Sequence, residues 1–355
     1  MSHLADEIAS QPECWDKAID MAASTGAALP ERGERVAAIG CGSSLNVARC
    51  YAALREAAGH GQTDAFPASE VSATRRYDRM VYISRTGTTT EVLDALRQAP
   101  GQVTTTAVTA VPGSPLAREA AGHGETDAFP ASEIPAARRY DRMVYVSRTG
   151  TTTEVLDALR HAPAGVRTTA IAADPGSPLV QEAGAVVLLD FSAERSVVSS
   201  RFITSALVLL RAHLGEDLRA LPDAAARELA RPLPPGLAEH REFTFLGRGW
   251  AAAVADEAAL KLREASRTWA ESYPALEYRH GPISVSDEST VVWALGQVPP
   301  SLLADARRTG AIVLGSDADP LVGLTGAQRL AVELAERRGI DPDQPRALSR
   351  SVILA

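Results

Sequence analysis

Cysteine is scarce in this 355-residue chain: Cys14, Cys41 and Cys50 are the only three, with no C-x-x-C pair and no even set for a disulfide framework. That excludes a small disulfide-stapled scaffold and points to a reducing, cytoplasmic setting. No uncharged apolar run reaches membrane-spanning length, and the segment from Met1 to Ile8 has neither the basic nor the apolar region of a secretory signal. No membrane partner is expected. A basic surplus is missing too: 36 Lys and Arg against 44 Asp and Glu leave a formal charge of −8, which argues against a nucleic-acid partner. The seven histidines do not pair with one another or with carboxylates at ligand spacing, so no metal site is suggested and no cofactor is expected. What remains is a globular composition, 45% hydrophobic and 23% charged, in a chain long enough for two cores.

The most informative segment is present twice. Residues 58 to 120 and 121 to 183 align at a constant offset of 63 and are identical at 49 positions. Two near-identical copies of a strand, strand, helix, strand, helix unit do not make a solenoid, whose repeats are several and degenerate. The chain reads as an ordinary protein carrying one surplus copy, in a sheet with room for one. The shorter link to Ala185 and Glu194 favours the second copy in that sheet, with residues 58 to 120 as the insertion.

Each copy carries Ser-Arg-Thr-Gly-Thr-Thr-Thr-Glu, at Ser84 to Glu91 and at Ser147 to Glu154, between an apolar strand and a helical stretch. Backbone N–H groups at a helix start are unpaired, and the helix dipole there favours an anion. Serine and threonine hydroxyls add donors, and one glycine lets the backbone approach closely. Ordinary N-capping needs one hydroxyl, and this loop supplies five. A phosphate cradle is the better reading.

Elsewhere, strands alternate with helices, the pattern of doubly wound parallel sheets. Residues 1 to 32 read as a helix interrupted near Pro12. A first α/β domain is expected over 33 to 215, opening with Val36 to Ile39, the loop Gly40-Cys41-Gly42-Ser43-Ser44 and a helix from Leu45 to Ala57, and closing with a strand from Ala185 to Asp190 and a helix from Ser199 to Leu214. Pro222, Pro232, Pro234, Pro235 and Gly236 mark a linker over 216 to 240. A second α/β domain, 241 to 340, begins with Phe243 to Leu246 and the loop Gly247-Arg248-Gly249-Trp250. A long helix to about Glu271 and a helix from Thr325 to Arg338 follow, then a tail from 341 to 355.

On the helix after Trp250, Glu257, Lys261 and Glu264 recur at i, i+4 and i+7 and face one way. Routine ion pairs on a solvated face would give the same stripe, but its Ala-rich flanks argue for a cleft wall. His280, before Gly281-Pro282, sits at a turn where an imidazole can exchange protons near neutral pH.

Taken in order, Gly40 to Ser44, Ser-Arg-Thr-Gly-Thr-Thr, Glu194-Arg195-Ser196-Val197, Gly247-Arg248-Gly249, Glu257 to Glu264 and Arg279-His280-Gly281-Pro282 resemble the sugar isomerase (SIS) superfamily. The likeness is greatest to the isomerase half of glucosamine-6-phosphate synthase and its stand-alone relatives. Glu7-Ile8 with Gln11-Pro12 is similar to that family's lead-in helix, and Asp343 to Val352 to its carboxyl terminus. The resemblance implies two flavodoxin-like SIS domains, the first carrying the duplicated segment, and a sugar phosphate as substrate. It implies phosphate binding through Ser44, Ser84 or Ser147, Thr86 or Thr149, and Thr89 or Thr152. Glu264 would be the base moving a proton between C1 and C2, with Lys261 beside it, for isomerisation with or without deamination. The alternatives are a dehydratase of an N-acetyl-hexosamine 6-phosphate, in which the C2 carbanion expels the C3 hydroxyl, and a non-catalytic sugar-phosphate sensor. His280 would assist ring opening and reach a neighbouring subunit's site, hence a homodimer, while Glu194 and Val197 would line the cleft.

Three departures bear on chemistry. The chain begins at the lead-in helix without a glutaminase domain, so the resemblance implies no glutamine-derived ammonia. Arg350 stands where the synthase pattern has an imine-forming lysine; a guanidinium stays protonated and forms no Schiff base, though it can contact phosphate or hydroxyl. Arg85 or Arg148 replaces a neutral amide in the cradle, an added cation that strengthens dianion binding.

Overall fold

Short apolar runs bounded by glycine and hydroxyl-rich loops become parallel strands, and the intervening stretches become the helices that cover them. The structure is a computed structural model described over residues 2–25, 29–30, 32–34, 36–40, 42–67, 79–84, 86–97, 99, 103–109, 114–120, 142–146, 167–171, 185–186 and 189–348. Two units are present. One takes in Met1–Met21, Arg49–Leu54 and Glu194–Arg350, the other Ala22–Ala48, Arg55–Ala193 and Ser351–Ala355. Residues 194 to 215, which the sequence pattern groups with the first domain, therefore fall with the unit that holds the second.

The lead-in is a pair of helices, α1 (His3–Ala9) and α2 (Gln11–Thr25), divided just before Pro12. In the Ala22–Ala193 unit, β1 (Val36–Gly40), α3 (Ser43–Ala57), β2 (Thr63–Pro67), β3 (Arg79–Ile83), α4 (Thr90–Arg97), β4 (Thr104–Val108) and α5 (Pro115–Ala120) follow in order. Their strands form a parallel sheet of order β2-β1-β3-β4. All five residues of β3 are buried, as a central parallel strand requires. Met80 and Tyr82 pack with Val92, Leu96 and Leu116 of α4 and α5.

The second copy supplies β5 (Arg142–Val146) and β6 (Arg167–Ile171), which pair as β3 and β4 do, 63 residues on. With β7 (Ala185–Val186) they form a separate three-stranded sheet. The expectation that the second copy fills the slot beside β1 is thus overturned: β2 and β3, from the first copy, hold both edges of β1. Two physical reasons favour the first copy. It follows α3 directly, so pairing it closes the shorter loop. Arg79, at the head of β3, donates to both carboxylate oxygens of Glu34 at 2.8 and 3.1 Å and to Thr106 at 3.0 Å. Glu34 lies outside the repeat, so the chain has one such partner for two copies.

The other unit holds α6 (Arg201–His213) and α7 (Leu221–Ala230), then β8 (Glu242–Gly247), α8 (Ala251–Ser266), β9 (Trp269–Pro274), β10 (Thr290–Leu295), α9 (Pro300–Arg308), β11 (Ile312–Ser316) and α10 (Pro320–Arg337). The sheet order is β9-β8-β10-β11, all parallel. Both four-stranded sheets thus place their first strand between their second and third. Two sequence expectations need correction here. α8 stops at Ser266 rather than near Glu271, because Arg267 takes a left-handed φ of 55° and caps it, and Trp269–Pro274 is a strand. The strand at Ala185 is described for two residues only, and Asp190–Ser192 is a 3-10 turn.

Deleting residues 121–183 joins Ala120 to Gly184 and leaves β1 to β4 intact. Thermal unfolding followed by circular dichroism is expected to show a midpoint at or above that of the full chain. A collapse of cooperative unfolding in this deletion, with a normal transition after deletion of 58–120, would reverse the assignment of the copies.

Candidate active site

Gly40, the last residue of β1, pairs directly with Ile83, the last of β3. The Gly/Ser loop entering α3 and the Ser84 loop entering α4 therefore leave the sheet side by side. β1 leads on to β2 at one side while β3 leads to β4 at the other, so the crevice between them is a topological switch point, where α/β sheets bind ligands. Ser44 is buried in the first turn of α3, where Leu45 and Asn46 donate to the Gly42 carbonyl at 3.0 and 3.3 Å. Ser84 is buried, with its hydroxyl 3.0 Å from that of Thr89 and accepting from the Gly87 N–H at 3.2 Å. Thr86 accepts from the Thr88 hydroxyl at 3.0 Å. Gly87, at φ +63°, has no room for a side chain, since an added Cβ would lie 1.9 Å from the Ser114 hydroxyl oxygen. Five hydroxyl-bearing residues and two helix starts are thus collected at the carboxyl ends of β1 and β3. Arg85, Ser147, Arg148, Thr149, Thr152 and Arg350 lie outside the described residues.

In the other unit, Gly247 ends β8 so close to α8 that a Cβ there would sit 2.0 Å from the Ala251 carbonyl oxygen. Further along α8, the stripe read from sequence is one ionic cluster. Lys261, 1% exposed, lies 3.3 Å from Glu257 and 2.5 Å from Glu264. Burial opposes its charge, but the carboxylates of Glu257 and Glu264 prevail and hold its pKa above the ordinary value. Glu257 is itself 2% exposed, whereas the Glu264 side chain keeps 20% of its surface. One carboxylate balances the buried ammonium from inside, and the other can also meet an incoming group. Glu264 stands two residues from the helix end, where the dipole disfavours an anion, so Lys261 compensates for that as well. At the start of α8, the buried Arg211 bridges Glu216 and Asp319 at 2.8 and 2.7 Å, and its guanidinium lies 4.7 Å over the Trp250 ring.

The remaining expected residues are arranged differently. Glu194 is a helix cap: it accepts from the Ser200 N–H at 2.6 Å, the Phe202 N–H at 3.2 Å and the Ser199 hydroxyl at 2.9 Å, at the start of α6. The N–H of Val197 donates to the Asp343 carbonyl at 2.9 Å, tying the turn to the tail. His280 is exposed at the end of the 3-10 segment Ala275–His280, and its imidazole makes no hydrogen bond or ion pair with the described residues. That segment is anchored by Tyr278, fully buried and 2.6 Å from the Ser286 hydroxyl, and by Arg279, 2.5 Å from Asp305.

Sequence reasoning missed Glu7. It is buried and accepts from the N–H of Arg195 and, at 3.2 Å, from that of Ser196, with the Ser196 hydroxyl against its second oxygen. The signal was available: Glu7 and Gln11 share a face with Leu4, Ile8 and Trp15, and polar residues on a buried stripe must be satisfied by partners. Gln11 meets Gln328 and Thr204 at 2.8 Å each.

No family model matches the chain. The fold is nonetheless that of phosphosugar isomerases. Over 99% of this chain and all of that one, it superposes on glucosamine-6-phosphate deaminase of Thermotoga maritima with a TM-score of 0.63 at 23% identity. Over 98% and 97%, it superposes on tagatose-6-phosphate ketose/aldose isomerase of Escherichia coli at 0.64 and 16%. At such identities the likeness is one of fold. In sequence, the chain is 30% identical over 269 residues to a glutamine–fructose-6-phosphate aminotransferase (isomerizing) of Bradyrhizobium diazoefficiens, covering 61% of this chain and 44% of that protein. The counterpart from Thermus thermophilus is 32% identical over 260 residues, 58% and 43%. The chain is a homologue of the isomerase (SIS) domain of these aminotransferases, and it spans less than half their length.

Replacing Lys261 with Met removes the cation beside the buried Glu257 carboxylate, and a loss of about 3–5 kcal/mol is expected. Glu264→Gln should cost less, because that carboxylate is partly solvated; urea unfolding of the two variants checks the order. Folding raises the Lys261 pKa, so its stabilisation is complete below the ordinary value of 10.5 and is lost as pH climbs through the folded value.

Proposed function

We propose that the chain is a phosphosugar enzyme that isomerises a hexose or amino-hexose 6-phosphate, with or without deamination, by proton transfer between C1 and C2. The observation that carries this reading is the Glu257–Lys261–Glu264 cluster, a partly exposed carboxylate held beside a buried ammonium. The hydroxyl-lined edge at Ser44, Ser84, Thr86 and Thr89 supports the phosphate end, with Ser147, Thr149 and Thr152 as the second copy's alternatives and with Arg85 or Arg148 and Arg350 as added cations where the chain departs from the family pattern. In the open-chain aldose, Glu264 takes the C2 proton, the C–H electrons form a C1=C2 bond, and the C1 oxygen is protonated. Return of a proton to C1, with loss of the C2 hydroxyl proton as C2=O forms, gives the ketose. From a 2-amino sugar the same step gives a 2-imine, which water hydrolyses to ketose and ammonia. A carboxylate suits this work because it accepts a proton from carbon and returns it on one face of the sugar.

His280 is assigned to ring opening, in a homodimer in which it serves the neighbouring subunit. An exposed imidazole on the same stretch as the exposed apolar side chains Leu276 and Val285 suits a surface that a second copy covers. Glu194 keeps a supporting role, since its carboxylate caps α6.

Deuterium exchange at C2 of glucosamine 6-phosphate and of N-acetylglucosamine 6-phosphate, and at C1 of fructose 6-phosphate, followed by NMR in heavy water, tests the reaction. Exchange with at least one sugar is expected, and Glu264→Gln should slow it by about 10²–10⁴-fold while binding persists. Absence of exchange with all three at folded-protein concentrations defeats the proton-transfer reading. A Glu264→Gln variant that binds normally and leaves every activity unchanged would instead favour a sugar-phosphate sensor.

A further inference from the structure

Three segments distant in sequence meet at the first helix. Glu7 of α1 holds the 194–197 turn by taking the N–H groups of Arg195 and Ser196 on one oxygen and the Ser196 hydroxyl on the other. Ser196 also reaches the Val198 carbonyl at 2.7 Å. Asp343, from the tail, accepts from the N–H groups of His3 and Leu4 at 2.8 and 2.7 Å, capping the same helix. The Asp343 carbonyl then accepts from Val197 at 2.9 Å, which closes a ring of helix, turn and tail. Apart from the Ser196 hydroxyl, each donor in the ring is a backbone N–H bound to a carboxylate or a carbonyl, so the ring fixes main-chain position and not merely side-chain packing.

We infer that Glu7 is a positioning residue of the sugar-phosphate site, setting the 194–197 turn and, through Asp343, the 341–348 tail as one piece. This rests on the reading above, in which Val197 and the residue at 350 meet the substrate. The turn has no regular secondary structure to hold it: it runs from the end of the Asp190–Ser192 3-10 segment to the start of α6. Two adjacent N–H groups that point the same way need one shared acceptor, and Glu7 Oε1 provides it. Burial raises the pKa of this carboxyl, and the bonds from Ser196 and Arg195 offset that cost in part.

Hydrogen exchange measured by mass spectrometry on the full chain separates this role from general stability. In Glu7→Ala, exchange at residues 195–198 and in the 341–348 tail is expected to rise together, by about tenfold or more, with α8 unchanged. The KM for the sugar phosphate should rise by about tenfold while kcat moves by less than about threefold. Glu7→Gln keeps an oxygen in the Oε1 position and should restore both readouts. If Glu7→Ala does not fold, Ser196→Ala removes the hydroxyl link alone and should show a smaller rise at the same two segments. Unchanged exchange at 195–198 in either variant that folds, or a rise there that leaves the tail untouched, overturns the inference. If the wild-type chain turns over no sugar phosphate, the functional reading fails and the exchange measurements still decide the ring.

Discussion

A buried ammonium is the constraint on which the candidate active site depends. Lys261 is all but excluded from solvent, and water is not there to stabilise its charge. Glu257 and Glu264 must do so, which fixes their spacing at one turn before and just under one turn after it on the same helix. Because Glu257 is enclosed as well, the pair cannot move apart without stranding a charge. Glu264 inherits a fixed position from that requirement. The close seat of Gly247 against Ala251 and the Arg211–Trp250 contact hold the start of the helix that carries the cluster.

The two four-stranded sheets solve one packing problem in the same way. Each parallel sheet reverses its winding beside its first strand, which opens a crevice at the carboxyl ends of two neighbouring strands. In the sheet of β1, that crevice receives Ser44 and the Ser84 loop. The duplication adds a constraint of its own. There is one β1, one Glu34 and one β7 for two nearly identical copies, so β1 pairs with the first copy while β7 closes a separate sheet with the second.

Much of this was legible in the residues. Alternating strands and helices predict parallel α/β sheets, the i, i+4, i+7 stripe predicts the ionic cluster, and the hydroxyl-rich loop predicts the crowded edge after β3. The misreadings have physical causes. Ala, Glu and Ser after residue 266 carry ordinary helical propensity, so nothing local announced that Arg267 would adopt a left-handed conformation and end α8. Glu194 is expected in the cleft from the resemblance; that its carboxylate also caps α6 depends on where Ser200 and Phe202 fall, which no local pattern states. Linker length to Ala185 favours the second copy for the sheet, but it ignores the longer closure back to β1 and the single Glu34. Glu7 and Asp343 act on residues about 190 and 340 positions away in the chain, a relation that no local pattern encodes.

Nitrogen-15 NMR of the lysine side chains, followed as a function of pH, tests the account most directly. The Lys261 amine is expected to remain an ammonium up to and beyond its ordinary pKa of 10.5, with a resonance that shifts when Glu264 is replaced by Gln. A Lys261 nitrogen that loses its proton near neutral pH, or that does not sense Glu264, would contradict the charged cluster from which the proposed chemistry follows.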